Sequence, residues 1–288
     1  MTMIISPMLL ESIQEPFSDD AYVFEPKIDG HRLIIRKQGA EVRLWTRHGN
    51  ECTRQYPELQ DVPIEGDVVL DGEVCCTNES GAIDFESVMD RFQLKKRDKI
   101  ERHARRRPVN YIVWDILFHG GRDLRGLPLV ERRTVLESVF IPGTNMSIVP
   151  QIDGRGDDLW RAVTARSMEG MVAKRKTSKY VGRRSADWLK LVNYQYADVY
   201  LTGYRKDEFG WLAQVEEGGK LRPAGIIELG VTATHRKAFF SHVSALKTGE
   251  DSRFVYLEPR LKATVKFRNW TRNGMLRTPS LVQIKSSS

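Results

Sequence analysis

Short segments in which apolar and polar residues alternate, cut at intervals by Gly, Asn or Pro, constrain this chain more than any other feature. A period of two places every second side chain on one face of an extended strand, a pattern that a helix of 3.6 residues per turn cannot use. Residues 22–25, 32–37, 41–46 and 68–75 read this way and predict an antiparallel sheet. The period then lengthens. In 84–94, Phe85, Val88, Met89 and Phe92 fall at helical spacing, and a basic stretch, 95–107, follows. The expected reading of that stretch is a solvated helix face, with nucleic-acid contact as its competitor. Residues 111–118 predict a strongly apolar strand, 129–140 a helix, and 157–167 a second helix capped by Asp157 or Asp158.

After Asn193 the texture changes to short strands at 197–204, 211–215, 225–231 and 263–270, with one helix-like segment at 237–246. Five or so strands and one helix in under a hundred residues predict a small β-barrel. An OB-fold is the expectation and an SH3-like barrel the nearest competitor. The expected class is therefore α+β, with a boundary near Tyr194 separating residues 1–194 from 195–288. A length of 288 residues at 41% hydrophobic content is enough for two cores.

The 45 Lys and Arg against 38 Asp and Glu leave a net charge of +7, which favours a polyanionic partner. Cys52, Cys75 and Cys76 are too few and too unevenly spaced for a zinc site or a disulfide framework, so they read as core residues from a reducing compartment. Residues 1–10 contain an apolar run, but no basic leader precedes it, Pro7 breaks it, and Glu11 and Glu15 follow. No signal peptide and no bilayer span is expected, and the expected location is cytoplasmic. The sequons at Asn78, Asn145 and Asn269 and the tripeptide Arg155-Gly156-Asp157 are then chance occurrences, and the serine tail 286–288 reads as a linker remnant.

The chemistry concentrates around Glu25-Pro26-Lys27-Ile28-Asp29-Gly30-His31-Arg32, where one lysine has an acid, a glycine and an arginine at short fixed offsets. A lysine amine attacks phosphorus only when unprotonated, so its pocket must lower its proton affinity or pass the proton to a neighbour. Phe24 and Ile28 can desolvate the amine and Arg32 can penalise its charge, while Asp29 acts in the opposite sense. Gly30 permits close approach of the backbone to a ligand, or a positive φ. Arg47 follows the second strand of an expected hairpin and can return to the same pocket mouth as a phosphate clamp. Asp71-Gly72-Glu73 puts carboxylates inside an apolar strand, where they are costly without partners; Glu73 suits a ribose hydroxyl or a metal. Trp114 offers a stacking surface for a purine, with a core tryptophan as the rival reading. Glu169 and Lys174 bracket another apolar strand and suit a divalent cation and a phosphate, and Asp187-Trp188-Leu189-Lys190 adds one more lysine. No P-loop string is present, because Lys220 precedes Leu221, and neither H-E-x-x-H nor a nucleophile-elbow serine occurs.

Lys27-x-Asp29-Gly30-x-Arg32, Arg47, Asp71-Gly72-Glu73, Trp114-Asp115, Glu169-Gly170 and Trp188-Leu189-Lys190 resemble, in order and spacing, the motifs of covalent nucleotidyltransferases, and most closely those of ATP-dependent DNA ligases. Trp270-Thr271-Arg272-Asn273-Gly274-x-Leu276-Arg277-x-Pro279 is similar to the ligase domain of bacterial DNA ligase D. The resemblance implies a nucleotidyltransferase domain of ATP-grasp-like antiparallel sheets with helices, followed by the OB-fold. It implies that Lys27 takes AMP from ATP, passes it to the 5′-phosphate of a nick in duplex DNA, and that the 3′-hydroxyl then displaces AMP. Glu25 and the Ile28 backbone would read adenine between Trp114 and Val172, while Arg32 and Glu73 would hold the ribose. Arg47 would meet phosphate, Asp29 would lie near the 3′-hydroxyl, Lys190 would grip the α-phosphate, and Arg184 is a further nucleotide contact. Glu73 and Glu169 would hold Mg²⁺ or Mn²⁺. The implied protein is a monomer at the bacterial nucleoid, acting in repair or end joining with a Ku-like end-binding protein as a candidate partner.

One departure stands out: the family often has a second lysine two residues after Lys190, and this chain has Val192. Lys174 or Arg184 could substitute for it, and Lys266, Arg272 and Arg277 are candidates for orienting pyrophosphate. An RNA ligase, a capping guanylyltransferase and a non-catalytic nucleic-acid binder are the alternatives.

Overall fold

Alternation is translated directly into sheet faces. The computed structural model describes residues 5–79, 81–141, 143 and 145–285, and the chain divides into two units, Met1–Val192 and Asn193–Ser288. Residues 1–4 of the apolar N-terminal run and the serine tail 286–288 lie outside the described residues. The first unit runs β1 (Leu9–Ser12), β2 (Tyr22–Pro26), β3 (His31–Gln38), β4 (Glu41–Thr46), β5 (Val68–Cys75), α1 (Phe85–Gln93), α2 (Arg97–Arg106), β6 (Asn110–His119) and β7 (Arg122–Asp123). It continues through α3 (Leu129–Val139), β8 (Met146–Ile148), β9 (Ile152–Asp153), α4 (Gly156–Ala165), β10 (Gly170–Arg175) and β11 (Arg184–Val192).

These strands form two sheets, one ordered β1-β11-β10-β2-β9 and the other β4-β3-β5-β6-β7 with β8 beside β6. Most pairs are antiparallel, but β1 pairs with β11 and β6 with β8 in parallel, so the all-antiparallel expectation is corrected at two sheet positions. Both parallel partners are distant in sequence, and a hairpin pattern carries no information about such closures. On β3 and β5, Leu33, Ile35, Val68 and Leu70 bury one face against the helical side that includes Val88 and Leu136. Ile34 and Val69 point the other way and meet Met8, Val23 and Trp188 of the other sheet. Phe24, Met171 and Leu191 cover the outer face of that sheet with Leu159 and Val163 of α4. The polar residues of β2, β3, β5, β10 and β11 thereby converge between two apolar layers.

Capping separates the two helix predictions. Asp84 accepts from Ser87 N and caps α1 as a local signal should. Helix α4 differs from expectation: its N-cap position is Arg155, and Asp157 and Asp158 lie inside the first turn. Ser18 serves this helix end from 139 residues away, accepting from Asp157 N at 3.2 Å and donating to Asp157 Oδ2 at 2.6 Å. Acids inside the first turn still favour the helix dipole.

The second unit contains β12 (Gln195–Arg205), β13 (Trp211–Glu217), β14 (Lys220–Ile227), α5 (Ala233–Leu246), β15 (Lys247–Glu250), β16 (Phe254–Phe267) and β17 (Ser280–Ile284). Its sheet is ordered β14-β13-β12-β16-β15, with β17 also on β16. The strand expected at 225–231 begins earlier, at Lys220, because the pair Gly218-Gly219 turns the chain with positive φ at both residues and folds β14 back on β13. Trp211 stacks on Phe239 of α5 at 4.2 Å, closing one side of this core.

Candidate active site

The end of β2 positions Lys27. Its backbone N–H donates to Gly170 O at 2.8 Å, and its Nζ meets Glu169 Oε2 at 2.8 Å. Gly170 has φ +155°, and a Cβ there would lie 2.1 Å from Leu191 O, so only glycine lets β10 begin beside β11 at this point. Gly30 does not take a positive φ, one of the two reasons expected for it. A Cβ on it would stand 2.0 Å from Val74 O, so its role is to bring the loop after Lys27 against β5.

Register places the other residues of the first sheet. Val172 lies opposite Glu25 on one side and Lys190 on the other, while Lys174 is paired with Val23 and Trp188. Partners in register share a face, so Glu25, Val172, Lys174, Trp188 and Lys190 all point between the sheets. Glu25 is almost wholly buried, with Oε2 at 2.7 Å from Lys174 Nζ and Oε1 accepting from Gln151 Nε2 at 2.8 Å. Lys174 Nζ also lies 4.3 Å from the Trp188 ring centroid and 5.3 Å from that of Trp114. Burial pulls the Lys174 ammonium below the usual lysine range, with Glu25 and Asp115 acting in the opposite sense. A lysine locked in this way is badly placed to replace the one missing at Val192, which pairs with Gly170 at the end of β11.

On the facing sheet, Arg32 is clamped by Asp71 through Nε at 2.9 Å and Nη2 at 2.6 Å, and it donates from Nη1 to Met8 O at 2.7 Å. Tyr180 donates to the same Asp71 Oδ2 at 2.8 Å. Burial works against the Arg32 charge, yet Asp71, Tyr180 and Glu73 together hold its proton affinity above the ordinary value. Arg32 also lies over Trp114, 5.2 Å from the ring centroid. Glu73 is cross-strand from Arg32, and burial pushes its carboxyl up to about 8; Lys27 opposes the rise, whereas Glu169 adds to it. Glu73 therefore belongs electrostatically to the Lys27–Glu169 pair.

Ile28 and Asp29 occupy the half-buried loop between Lys27 and Gly30. Arg47 is exposed beyond β4 and lines a cavity of about 400 Å³ with Ser6, Ile34, Arg36 and His48. Of the predicted site residues, that cavity includes Arg47 alone. Arg184 stands apart as well: its guanidinium bonds to Leu10 O at the start of β11, beyond a register shift that separates it from Lys190. In the second unit, Lys266 lies over the Tyr194 ring at 4.9 Å and Arg277 donates to Asn269 Oδ1 at 3.2 Å.

Sequence reasoning missed three supporting residues. Gln151 and Tyr180 had no motif to announce them, and they act through contacts 126 and 109 residues away. Arg132 grips Asp115 through two bonds at 2.8 and 2.7 Å, with both side chains fully buried. A buried acid next to Trp114 implied some cation, but its helix could not be named.

His31, the first residue of β3, packs edge-on to Phe92 at 4.4 Å, and burial lowers its imidazole to about 4, with His48 adding to the effect. An unfolded chain takes up this proton near pH 6.5 while the folded one refuses it until about pH 4. Stability contributed by neutral His31 is thus present above 6.5 and lost as pH falls toward 4, by up to about 3 kcal/mol. Urea unfolding of His31→Gln should show a shallower acid loss than the parent across that window; parallel pH profiles would overturn the assignment.

Comparison with known proteins supplies the family. Residues 7–191 match the model described as an ATP dependent DNA ligase domain. The chain is 39% identical over 279 residues to the SPbeta prophage-derived DNA ligase-like protein LigB of Bacillus subtilis, covering 96% of this chain and 98% of LigB. It is 29% identical to the bifunctional non-homologous end joining protein LigD of the same organism, over 85% of this chain but only 43% of LigD. Among solved structures, mycobacterial DNA ligase D complexed with ATP and MES superposes with a TM-score of 0.60 at 26% identity, covering 99% of this chain and 96% of that one. This likeness shows a nucleotidyltransferase-type ligase fold of sheets with few helices. Since the family match takes in both facing sheets, from ahead of β1 nearly to the end of β11, the chain belongs to the ATP-dependent DNA ligase family.

Proposed function

We propose that this DNA ligase joins the 5′-phosphate and 3′-hydroxyl of a nick in duplex DNA through an adenylate carried on Lys27. The observation that carries the reading is the ion pair of Lys27 Nζ with Glu169, in a unit whose two facing sheets also hold the buried Glu25–Lys174 and Arg32–Asp71 pairs. Units 1–194 and 195–288 would then be an adenylation domain and an OB-fold domain. The second is supported by its antiparallel sheet with a single long helix.

Nζ attacks the α-phosphorus of ATP, a P–N bond forms, and the bond to pyrophosphate breaks. The proton that must leave Nζ has the Glu169 carboxylate as its acceptor, at 2.8 Å. A 5′-phosphate oxygen at the nick next displaces Lys27 from the adenylate phosphorus. The 3′-hydroxyl then attacks the activated 5′-phosphate and AMP leaves. Because little covalent chemistry falls to side chains other than Lys27, rate comes from positioning and charge neutralisation. Glu25 and the Ile28 backbone would face adenine, Trp114 and Val172 its two faces, Arg32 and Glu73 the ribose, Lys190 the α-phosphate, Arg47 the 5′-phosphate and Asp29 the 3′-hydroxyl.

No cluster of three or more His, Cys, Asp or Glu able to hold a metal occurs among the described residues. Glu73 and Glu169, two hard oxygen donors, fit Mg²⁺ or Mn²⁺ in the manner of sites completed by substrate phosphates and water. The ion supplies charge neutralisation on phosphate. Among the described residues, no helix is long and apolar enough to cross a membrane, and the proposed setting is the nucleoid. Action as a monomer alongside a Ku-like end-binding protein extends the likeness to LigD, whose length this chain spans by less than half.

Incubation with α-labelled ATP, after pyrophosphate treatment to strip pre-formed adduct, should yield a covalent adduct that chelation of divalent cations prevents. A chase with nicked duplex should discharge the adduct and produce sealed strand. An adduct formed from GTP but not ATP, or sealing confined to nicked RNA, would refute this reading.

A further inference from the structure

The basic stretch 95–107 carries eight Lys or Arg against Asp98 and Glu101, a net +6 in a chain whose total is +7. Most of it forms α2, in which Ile100 is the buried residue. Lys99, Arg102 and Arg106 fall at i, i+3 and i+7 on the side away from Ile100, so they form one exposed stripe. None of the three has an ion pair among the described residues, whereas Arg97 is satisfied by Glu101 and Arg107 by Ser87. Like charges at these spacings weaken a helix, and the lysines at its N-terminal end oppose its dipole, so helix stability does not explain the stripe.

The helix is also held in place. Arg91, fully buried, donates to both Glu58 oxygens at 2.8 and 2.6 Å and lies 3.1 Å from His103 Nδ1, and Arg54 donates to Lys95 O at 2.9 Å. Phe92, just ahead of the basic stretch, packs on His31, four residues from Lys27. The cationic stripe is thus fixed in place on the unit that carries the candidate nucleophile.

We propose that Lys99, Arg102 and Arg106 form a phosphate-backbone contact for duplex DNA flanking the nick, separate from the adenylylation chemistry; this rests on the DNA ligase reading above. At a helical rise of about 1.5 Å per residue the stripe runs about 10 Å, and duplex DNA presents one charge per about 1.7 Å of axis, so several phosphates lie within reach. Contact of this kind carries no base information and sets affinity and register.

The test replaces all three by Gln in the full chain and measures binding to a singly nicked duplex by fluorescence anisotropy over a range of salt. The slope of log affinity against log salt should fall by about 2 to 3, with binding on the order of 10- to 100-fold weaker at physiological salt. The labelled adduct formed from ATP without DNA should be unchanged, as should the thermal unfolding midpoint. A K99R/R102K/R106K variant should keep the parental slope. If the parent seals nicks and the Gln variant keeps its affinity and slope, the stripe is a solvated face and the proposal fails alone. A parent that neither binds nor seals nicked duplex removes the DNA ligase reading and the stripe with it. Loss of slope on duplex RNA but not DNA overturns the assigned partner.

Discussion

Lys27→Arg should lower formation of the covalent AMP adduct by on the order of ten-thousand-fold or more, because a nucleophile has no substitute. Arginine keeps a cation opposite Glu169, so the variant separates charge from nucleophilicity; its guanidinium stays protonated and cannot offer a lone pair. Lys27→Ala should fail equally at this step while also leaving Glu169 without its cation. Neither change removes what the last step needs. Given a nick already bearing AMP on its 5′-phosphate, Lys27→Arg should still seal, since the 3′-hydroxyl is then the attacking group. Gel detection of the labelled adduct and single-turnover sealing of pre-adenylated DNA read the two steps separately. A stable adduct on Lys27→Arg would place the nucleophile elsewhere.

Asp115→Ala should cost about 3 to 5 kcal/mol of stability, the largest structural effect of any single change in this region. Asp115 and Arg132 are both without exposed side-chain surface, and Arg132 also donates to Leu127 O at 2.6 Å and Ser178 O at 2.9 Å. Removing the carboxylate leaves a buried guanidinium with two of its donors unmet, and it loosens α3 from β6 just behind Trp114. For a unit of nearly two hundred residues this corresponds to a fall in Tm of about 10 °C. Replacing both partners together, Asp115→Leu with Arg132→Met, should recover much of the loss, because the penalty lies in the unpaired charge. Thermal and urea unfolding of the single and double variants check this. Equal destabilisation in both would mean that packing, not charge, dominates there.

Local signals were legible where their causes are local. The strands Glu41–Thr46 and Val68–Cys75 coincide with the segments read as extended, although Val68–Cys75 buries both of its faces. Asp84 caps α1 because its oxygen needs to reach only three residues ahead. The cap of α4 was misread for the converse reason: Ser18 supplies it from another part of the chain, and no spacing rule covers 139 residues. Arg184 lies six residues ahead of Lys190 in sequence, and its guanidinium bonds to the Leu10 carbonyl across the β1–β11 pair, a contact that no spacing rule announces.

By itself the sequence determined the chemical inventory: a lysine followed by Asp29, Gly30 and Arg32, carboxylates embedded in apolar strands, and a basic excess suited to a polyanion. It also determined that those carboxylates need partners, because an unpaired buried charge is too costly to keep. Only the tertiary structure decided which partners they have. Asp71 goes to Arg32 and Tyr180, Asp115 to Arg132, Glu25 to Lys174 and Gln151, and Glu169 to Lys27. Ion pairs form across sheet faces, and register and sheet packing bring those faces together over separations of up to 149 residues, a distance at which sequence spacing carries no geometry.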